Sequence, residues 1–183
     1  MRELSLHILD IVQNSISANA KNILIEISEQ ADTDWMSIVI ADDGKGMDAE
    51  FLAEVTSPFA TTRTTRKVGL GIPLFKEAAE ETGGSFTIES TPGKGTKVCA
   101  VFGYSHIDRQ PLGDIASVMH ILVHGNPDLD FYYKHLVGEN EFIFDTKQIR
   151  EVLGEEVRLD LPEILNWISK NLHSGIQELY GGK

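Results

Sequence analysis

Residues 35–47 read WMSIVIADDGKGM, an apolar run that ends in two aspartates and two glycines. The run from Trp35 to Asp42 is rich in β-branched and aromatic residues, which predicts a strand followed by a loop. Glycines at a strand end let the backbone approach a planar ligand, and Asp42 can accept a hydrogen bond from an exocyclic amine. The same residues are also typical of a plain strand-to-helix turn, in which glycine supplies a positive φ.

Upstream of this segment the pattern predicts a helix and a second strand. Residues 22–28 predict the strand, which a hairpin connection over residues 29–34 joins to Trp35. Residues 3–18 are apolar at helical spacing on one side, and the polar side holds His7, Asp10, Asn14 and Ser17. Asp10 and Asn14 point the same way, and their oxygens could ligate a hard cation such as Mg²⁺. Polar pairs at this spacing also occur on ordinary solvated helices.

Downstream, the sequence predicts a short helix over residues 49–56 and then a basic segment, TTRTTRKVGLG, at residues 61–71. No acidic side chain lies between Glu54 and Glu77, in a chain whose net charge is −12. A helix predicted over residues 69–82 opens on glycines, and the free N–H groups and dipole at such a start favour an anion. A solvated loop is the alternative interpretation.

Two further strands are predicted at residues 85–90 and 96–103, joined by the turn TPGKG. The order helix, two strands, helices, two strands predicts helices layered on one face of a mixed sheet, an α/β sandwich of about 100 residues. After Gly103 the pattern changes. We therefore predict a domain over residues 1–104 and a small C-terminal α+β domain of unknown role over residues 105–183.

Taken in order, the four polar segments resemble the N, G1, G2 and G3 boxes of the GHKL, or Bergerat-fold, ATPases, and above all the histidine-kinase versions. The resemblance covers about residues 3–103 and rests on DDGKGM, VGLGIPLFKEAAEETGG and ESTPGKGT. The family implies an α+β fold, a mixed sheet with helices on one face, which holds ATP between the helices and a lid over residues 61–68.

The resemblance also implies roles for single residues. Asn14 would coordinate the Mg²⁺ that bridges the phosphates, and Asp10 would take the position of the family's acidic base. Asp42 would bind the adenine amine. The remaining positions that the boxes place around the nucleotide are Gly44, Gly46, Arg63, Arg66, Lys67, Gly69, Leu70, Gly71 and Thr96.

Two departures from the family pattern bear on activity. Asp10 replaces the glutamate that is more usual, and one lost methylene withdraws the carboxylate from a water that it would have to orient. The chain also begins almost at the N box, so we expect neither a dimerising helical hairpin nor its phospho-accepting histidine. We do not assign that role to His7, which we interpret as a residue of the helix's polar face.

The C-terminal part carries fewer signals. Helices are predicted over residues 115–124, 146–153 and 162–180, and a hairpin-like pair over residues 130–137 and 141–144. His120 and His124 could ligate a metal, although a partly exposed helix with two histidines is the simpler interpretation. The aromatic residues are predicted to form a small core or a partner surface: Phe131, Tyr132, Tyr133, Phe142, Phe144 and Trp167.

Composition excludes several classes of function. The 183 residues include 28 acidic and 16 basic side chains, and the pI near 4.8 argues against nucleic-acid or anionic-lipid binding. A single cysteine, Cys99, excludes an intramolecular disulfide and a Cys-based zinc site and points to a reducing, cytoplasmic compartment. The longest apolar runs are only strand-length, so we expect no membrane span.

These observations lead to one main hypothesis and two alternatives. The main one is a stand-alone ATP-Mg²⁺-binding regulatory protein of the histidine-kinase ATPase type, a protein kinase or anti-sigma-like regulator that acts on a partner protein. The alternatives are a binding module that ATP switches without catalysis, and a slow ATPase of the gyrase or mismatch-repair type. The sequence leaves open whether the protein forms a homodimer.

Overall fold

The computed structural model describes residues 3–57 and 69–181. Its centre is one six-stranded sheet with the strand order β3-β4-β2-β1-β5-β6. All neighbouring strands are antiparallel except β1 and β5, which are parallel, so the sheet is mixed as predicted. The strands are β1 (Asn22–Gln30), β2 (Trp35–Asp42), β3 (Ser85–Thr91), β4 (Gly95–Gly103), β5 (Asp130–Val137) and β6 (Asn140–Asp145).

Six α-helices accompany the sheet in the described part of the chain. They are α1 (Leu4–Ser17), α2 (Ala49–Val55), α3 (Gly71–Glu80), α4 (Ile115–Gly125), α5 (Thr146–Leu153) and α6 (Pro162–Leu179). A short 3₁₀ helix, Ala31–Thr33, occupies the predicted hairpin connection between β1 and β2. Helix α3 begins two residues later than predicted, and the other predicted elements agree with the structure to within a few residues.

The alternation of side chains along the strands decides where the core lies. In β1 the odd-numbered residues Ile23, Ile25 and Ile27 are buried, whereas Leu24 and Glu26 are half-buried. Successive side chains of a strand point to opposite faces, so one face of the sheet carries the packed core and the other stays partly open. Helices α1, α2, α3, α4 and α6 bury side chains in this core, which confirms the predicted layer of helices on a mixed sheet.

The aromatic core of the N-terminal part joins α3 to the sheet. Phe75 of α3 is fully buried, and its ring contacts those of Phe86 and Phe102 at centroid distances of 6.2 and 5.8 Å. His7 stacks on the same ring at 5.5 Å and is only 1% exposed. The placement of His7 on the polar face was therefore wrong, because this stacking draws the imidazole into the core.

The described residues after position 104, namely 105–181, do not form a separate sheet. Strand β5 pairs with β1 in parallel, and Phe131, Tyr133 and Phe144 belong to the same continuous core as the N-terminal part. Trp167, in contrast, is 52% exposed, so its assignment to the core was wrong. Helix α6 instead buries Ile168, one position further along the helix. The domain boundary near residue 105 stays a prediction. In the described ranges, no helix combines the length and the apolar character that crossing a bilayer requires.

Candidate functional site

A pocket lies between α1, the end of β2, the start of β4, α2 and the start of α3. Its described lining includes five of the predicted site residues, namely Asn14, Asp42, Gly46, Gly69 and Thr96. The rest of the described lining is mainly apolar and includes Ile11, Ile40, Met47, Phe51, Ile72 and Val98. A concave, largely apolar pocket with a few polar groups is the usual form of a small-molecule site.

Asp42 stands at the end of β2, with both carboxylate oxygens fixed by hydrogen bonds. The Ser15 hydroxyl donates to Oδ2 at 2.6 Å, and the Gly44 N–H donates to Oδ1 at 2.8 Å. Because the two donors come from α1 and from the loop after β2, they fix the direction of the carboxylate. Each oxygen keeps a lone pair for a further donor, such as an amine of a ligand.

Ser15 is a site residue that the sequence analysis missed. It is buried although it is polar, and it lies on the apolar side of α1, four residues after Ile11. A polar residue at an apolar helix position is the signal that could have identified it, because a buried hydroxyl needs a hydrogen-bond partner.

The two glycines after Asp42 serve different contacts. A Cβ on Gly44 would lie 2.9 Å from Ala18 and from the Asp42 carboxylate, so only glycine lets the loop approach α1 this closely. Gly46 has a φ of +66°, and a Cβ there would overlap the Thr91 carbonyl. Both glycines thus position the loop, and of the two only Gly46 belongs to the described pocket lining.

The neighbouring Asp43 does not line the pocket but fastens the loop to the start of β1. Its Oδ1 accepts from the backbone N–H groups of Lys21 and Asn22 at 2.7 and 2.9 Å, and its Oδ2 accepts from the Asn22 side chain at 2.7 Å. Desolvation alone would raise its pKa, but these hydrogen bonds outweigh it and hold the pKa below its usual range.

On the sheet side, Thr96 connects β4 to the loop through Ser90. The Ser90 and Thr96 hydroxyls are 2.8 Å apart, and the Met47 N–H donates to Ser90 at 2.8 Å. This arrangement fixes Thr96 at the pocket wall, where the resemblance places the adenine.

At the other end of the pocket, α1 approaches the start of α3. Asn14 lines the pocket and is exposed, whereas Asp10, also exposed, is absent from the described lining. A Cβ on Gly71 would lie 3.1 Å from that of Asp10, so α3 begins directly against the Asp10 side chain. Leu70 precedes α3 without a side-chain cap, so the N–H groups of Gly71 and Ile72 have no capping side chain within the described residues and suit another acceptor.

Three predicted site residues, Arg63, Arg66 and Lys67, lie outside the described residues. Gly69 and Leu70 are exposed, and Gly71 is buried. The described pocket lining thus brings together at least one predicted residue from each box, whereas Asp10, Gly44, Leu70 and Gly71 lie outside that lining.

The histidines of the C-terminal part do not form a three-ligand metal site with other described His, Cys, Asp or Glu residues. The rings of His120 and His124 are 6.2 Å apart, while His135 is buried elsewhere. Burial, together with the charges of His124 and His173, lowers the pKa of His120.

Helices packed on a mixed sheet, with a pocket between α1, α2 and α3 and a fixed aspartate in its lining, are typical of a nucleotide-binding domain of the ATPase type described above. The profile of the histidine kinase-, DNA gyrase B- and HSP90-like ATPases matches residues 2–105. Since the match covers more than half of the chain, the protein belongs to this family. Membership implies ATP binding.

Among known proteins, part of the chain is similar to bacterial kinases. It is 34% identical over 108 residues to the sensor protein kinase FleS of Pseudomonas aeruginosa, and 33% identical over 88 residues to sporulation kinase C of Bacillus subtilis. The matches cover 59% and 48% of this chain but only 26% and 20% of those proteins. The chain therefore corresponds to a small part of each relative.

Two solved structures with the same fold align with nearly the whole chain. The Aquifex aeolicus MutL ATPase domain complexed with ADP aligns with a TM-score of 0.52 and 14% identity, covering 100% of this chain and 70% of that one. The N-terminal domain of a DNA repair protein aligns with a TM-score of 0.56, also at 14% identity, over 98% of this chain and 57% of its own length. At this identity the likeness shows the fold.

Proposed function

We propose that the pocket binds ATP together with Mg²⁺, and that the protein is a cytoplasmic regulator that passes the γ-phosphoryl group to a partner protein. The observation that carries the proposal is the Asp42 carboxylate, fixed by Ser15 and Gly44 at the floor of an apolar pocket. Asp42 would accept a hydrogen bond from the adenine amine, and the apolar walls would pack against the base.

The phosphates would extend towards Asn14 and the start of α3. The uncapped N–H groups at that helix start suit an anion, because they act as donors and carry the positive end of the helix dipole. Asn14 offers an amide oxygen at this end of the pocket, and Asp10, one turn earlier, offers a carboxylate. Hard oxygen donors of this kind fit Mg²⁺, which would neutralise phosphate charge when bound.

The position of Asp10 separates the candidate activities. A general base must lie within hydrogen-bond reach of the proton that it takes, directly or through one water. Asp10 is exposed beside Gly71 rather than in the described pocket lining, and its side chain is one methylene shorter than that of glutamate. This placement disfavours the activation of water and so supports transfer to a partner over hydrolysis.

The position of Asp10 outside the described pocket lining also supports a second candidate, a binding module without catalysis. ATP would then bind one conformation of the protein more tightly than another. This difference in affinity would change the surface around the pocket and so control the binding of a partner.

An experiment with γ-labelled ATP separates these proposals. The purified protein is incubated with labelled ATP and a lysate of its own source, alongside the Asp42→Asn variant. Asp32→Asn is a matched control, since Asp32 is exposed in the 3₁₀ helix. Kinase activity is supported if a protein becomes labelled and the labelling is lost with the Asp42→Asn variant. Free phosphate alone indicates an ATPase, and ATP binding with neither product indicates the switched module. If the unmodified protein fails to bind ATP in calorimetry, the proposed function is wrong.

A further inference from the structure

Lys45 is a pocket residue to which neither the predicted boxes nor the proposed function gives a role. It lies between Gly44 and Gly46, and among the described lining residues it is the only lysine or arginine. Its side chain is exposed and makes no ion pair within residues 3–57 and 69–181. Its ammonium group is therefore available to a ligand.

The backbone of Lys45 is held on both sides. Its N–H donates to the Ala18 carbonyl at 2.9 Å, and its own carbonyl accepts from the Gly93 N–H at 2.7 Å. The first bond ties the loop to the end of α1, and the second ties it to the turn between β3 and β4. Two hydrogen bonds thus hold the backbone of Lys45 in place, so little backbone entropy is lost when its long cationic side chain contacts a ligand.

The charges around the pocket favour an anionic partner for this ammonium. Asp42, the only acidic residue of the described pocket lining, already accepts hydrogen bonds from Ser15 and Gly44. The chain as a whole carries a net charge of −12, so a polyanion needs local cations to approach. Lysine binds phosphate as a compact point charge, with three donors that can turn towards it.

We propose that Lys45 binds the phosphate chain of the nucleotide and so makes the site prefer ATP and ADP over adenosine. This inference rests on the proposed function, because it requires a nucleotide in the pocket. It adds a residue that sets affinity for the phosphates while Asp42 sets recognition of the base.

The test is calorimetry of the full chain with ATP, ADP and adenosine, for the unmodified protein and for Lys45→Ala. The control is Lys94→Ala, because Lys94 is exposed in the adjacent turn, outside the described pocket lining, and its loss changes the net charge equally. We expect Lys45→Ala to weaken ATP binding on the order of tenfold, as for one charge-assisted hydrogen bond. Adenosine affinity should stay unchanged, Lys94→Ala should leave both affinities unchanged, and Lys45→Arg should keep most of the ATP affinity.

Two results would overturn the inference: an equal loss of ATP and adenosine affinity in Lys45→Ala, or no greater loss of ATP affinity than in Lys94→Ala. Asp42→Asn distinguishes this failure from failure of the proposed function. If Asp42→Asn weakens all three ligands and Lys45→Ala none, only the role of Lys45 is wrong. If the unmodified protein binds none of the three, the nucleotide site itself is wrong.

Discussion

Replacing Glu29 by glutamine should destabilise the protein, because this buried carboxylate joins three elements. Glu29, at the end of β1, is 6% exposed, and its Oε1 accepts from His135 Nε2 of β5 at 2.9 Å. The Tyr180 hydroxyl, just after α6, donates to the same oxygen, and the other ring nitrogen of His135 lies 2.8 Å from the Tyr133 hydroxyl. A series of hydrogen-bonded side chains, Tyr133–His135–Glu29–Tyr180, thus connects the sheet to the end of α6.

The cost of the substitution follows from these contacts. A hydrogen bond to a charged group contributes about 1.5–3 kcal/mol, and the half-exposed Tyr180 belongs at the lower end of that range. Glutamine keeps the shape, and its carbonyl oxygen can take the place of Oε1 and accept from both donors, but the negative charge that strengthens the two hydrogen bonds is lost. A neutral hydrogen bond contributes about 1 kcal/mol less than one to a charged group, so we expect Glu29→Gln to lower the free energy of unfolding at pH 7 by about 2 kcal/mol.

This contribution should depend on pH in one direction. Burial tends to raise the pKa of Glu29, but the hydrogen bonds from His135 and Tyr180 outweigh it and hold the pKa below the usual value of 4.5. The folded state thus keeps Glu29 ionised at a pH at which the unfolded chain takes up a proton. The stabilisation is present above about pH 4.5 and is lost as the pH falls through the folded pKa.

Denaturant unfolding, followed by the fluorescence of Trp35 and Trp167, would measure both effects. Glu26→Gln is the matched control, because Glu26 lies on the same strand but on the opposite, partly open face. We expect the control to change stability by less than about 0.5 kcal/mol. The reasoning would be refuted if Glu29→Gln cost no more than the control at pH 7, or if its cost did not decrease at pH 4.

Three further predictions concern single residues. Burial lowers the pKa of His7, so as the pH falls the unfolded chain binds a proton at this histidine before the folded protein does. The free energy of unfolding should therefore fall below about pH 6.5. In urea unfolding, His7→Phe should lose less stability between pH 7 and pH 5 than the unmodified protein. Gly46→Ala should lower the free energy of unfolding by more than about 2 kcal/mol, because a Cβ there overlaps the Thr91 carbonyl. Gly93 has a similar φ but open space around it, so Gly93→Ala should lower it by only about 1 kcal/mol. Equal shifts of the melting temperature in the two variants would contradict this reasoning. Asn14→Ala should remove the dependence of ATP affinity on Mg²⁺ and leave adenosine affinity unchanged, and equal losses for both ligands in calorimetry would count against its assignment.

The sequence predicted the strands and the position of Asp42 because both depend on local patterns. The run of β-branched residues up to Ala41 predicts β2, and the change to DDGKGM places an aspartate where the strand ends. Ser15 and His7 were not predicted in their observed places. Helical periodicity places Ser15 on the apolar side of α1 but cannot show the partners of the two residues, Asp42 and Phe75, which lie far along the chain.

The pairing of β5 with β1 could not be predicted for the same reason. Each strand is recognisable by itself, but the parallel register that sets Ile25 beside Tyr133 joins residues more than a hundred positions apart. A break in local pattern near Gly103 indicates where a motif ends, and not where a sheet ends.

Strand β1 links the two ends of the molecule. At its start, Asn22 holds Asp43 and thereby the loop that carries Asp42 and Lys45. At its other end, Glu29 holds β5 and α6. Since both edges of β1 are paired, the C-terminal strands occupy an edge that would otherwise present unpaired N–H and C=O groups beside the nucleotide-binding part. The strands within residues 105–181 therefore complete the sheet on which the pocket is built, and this is a structural role.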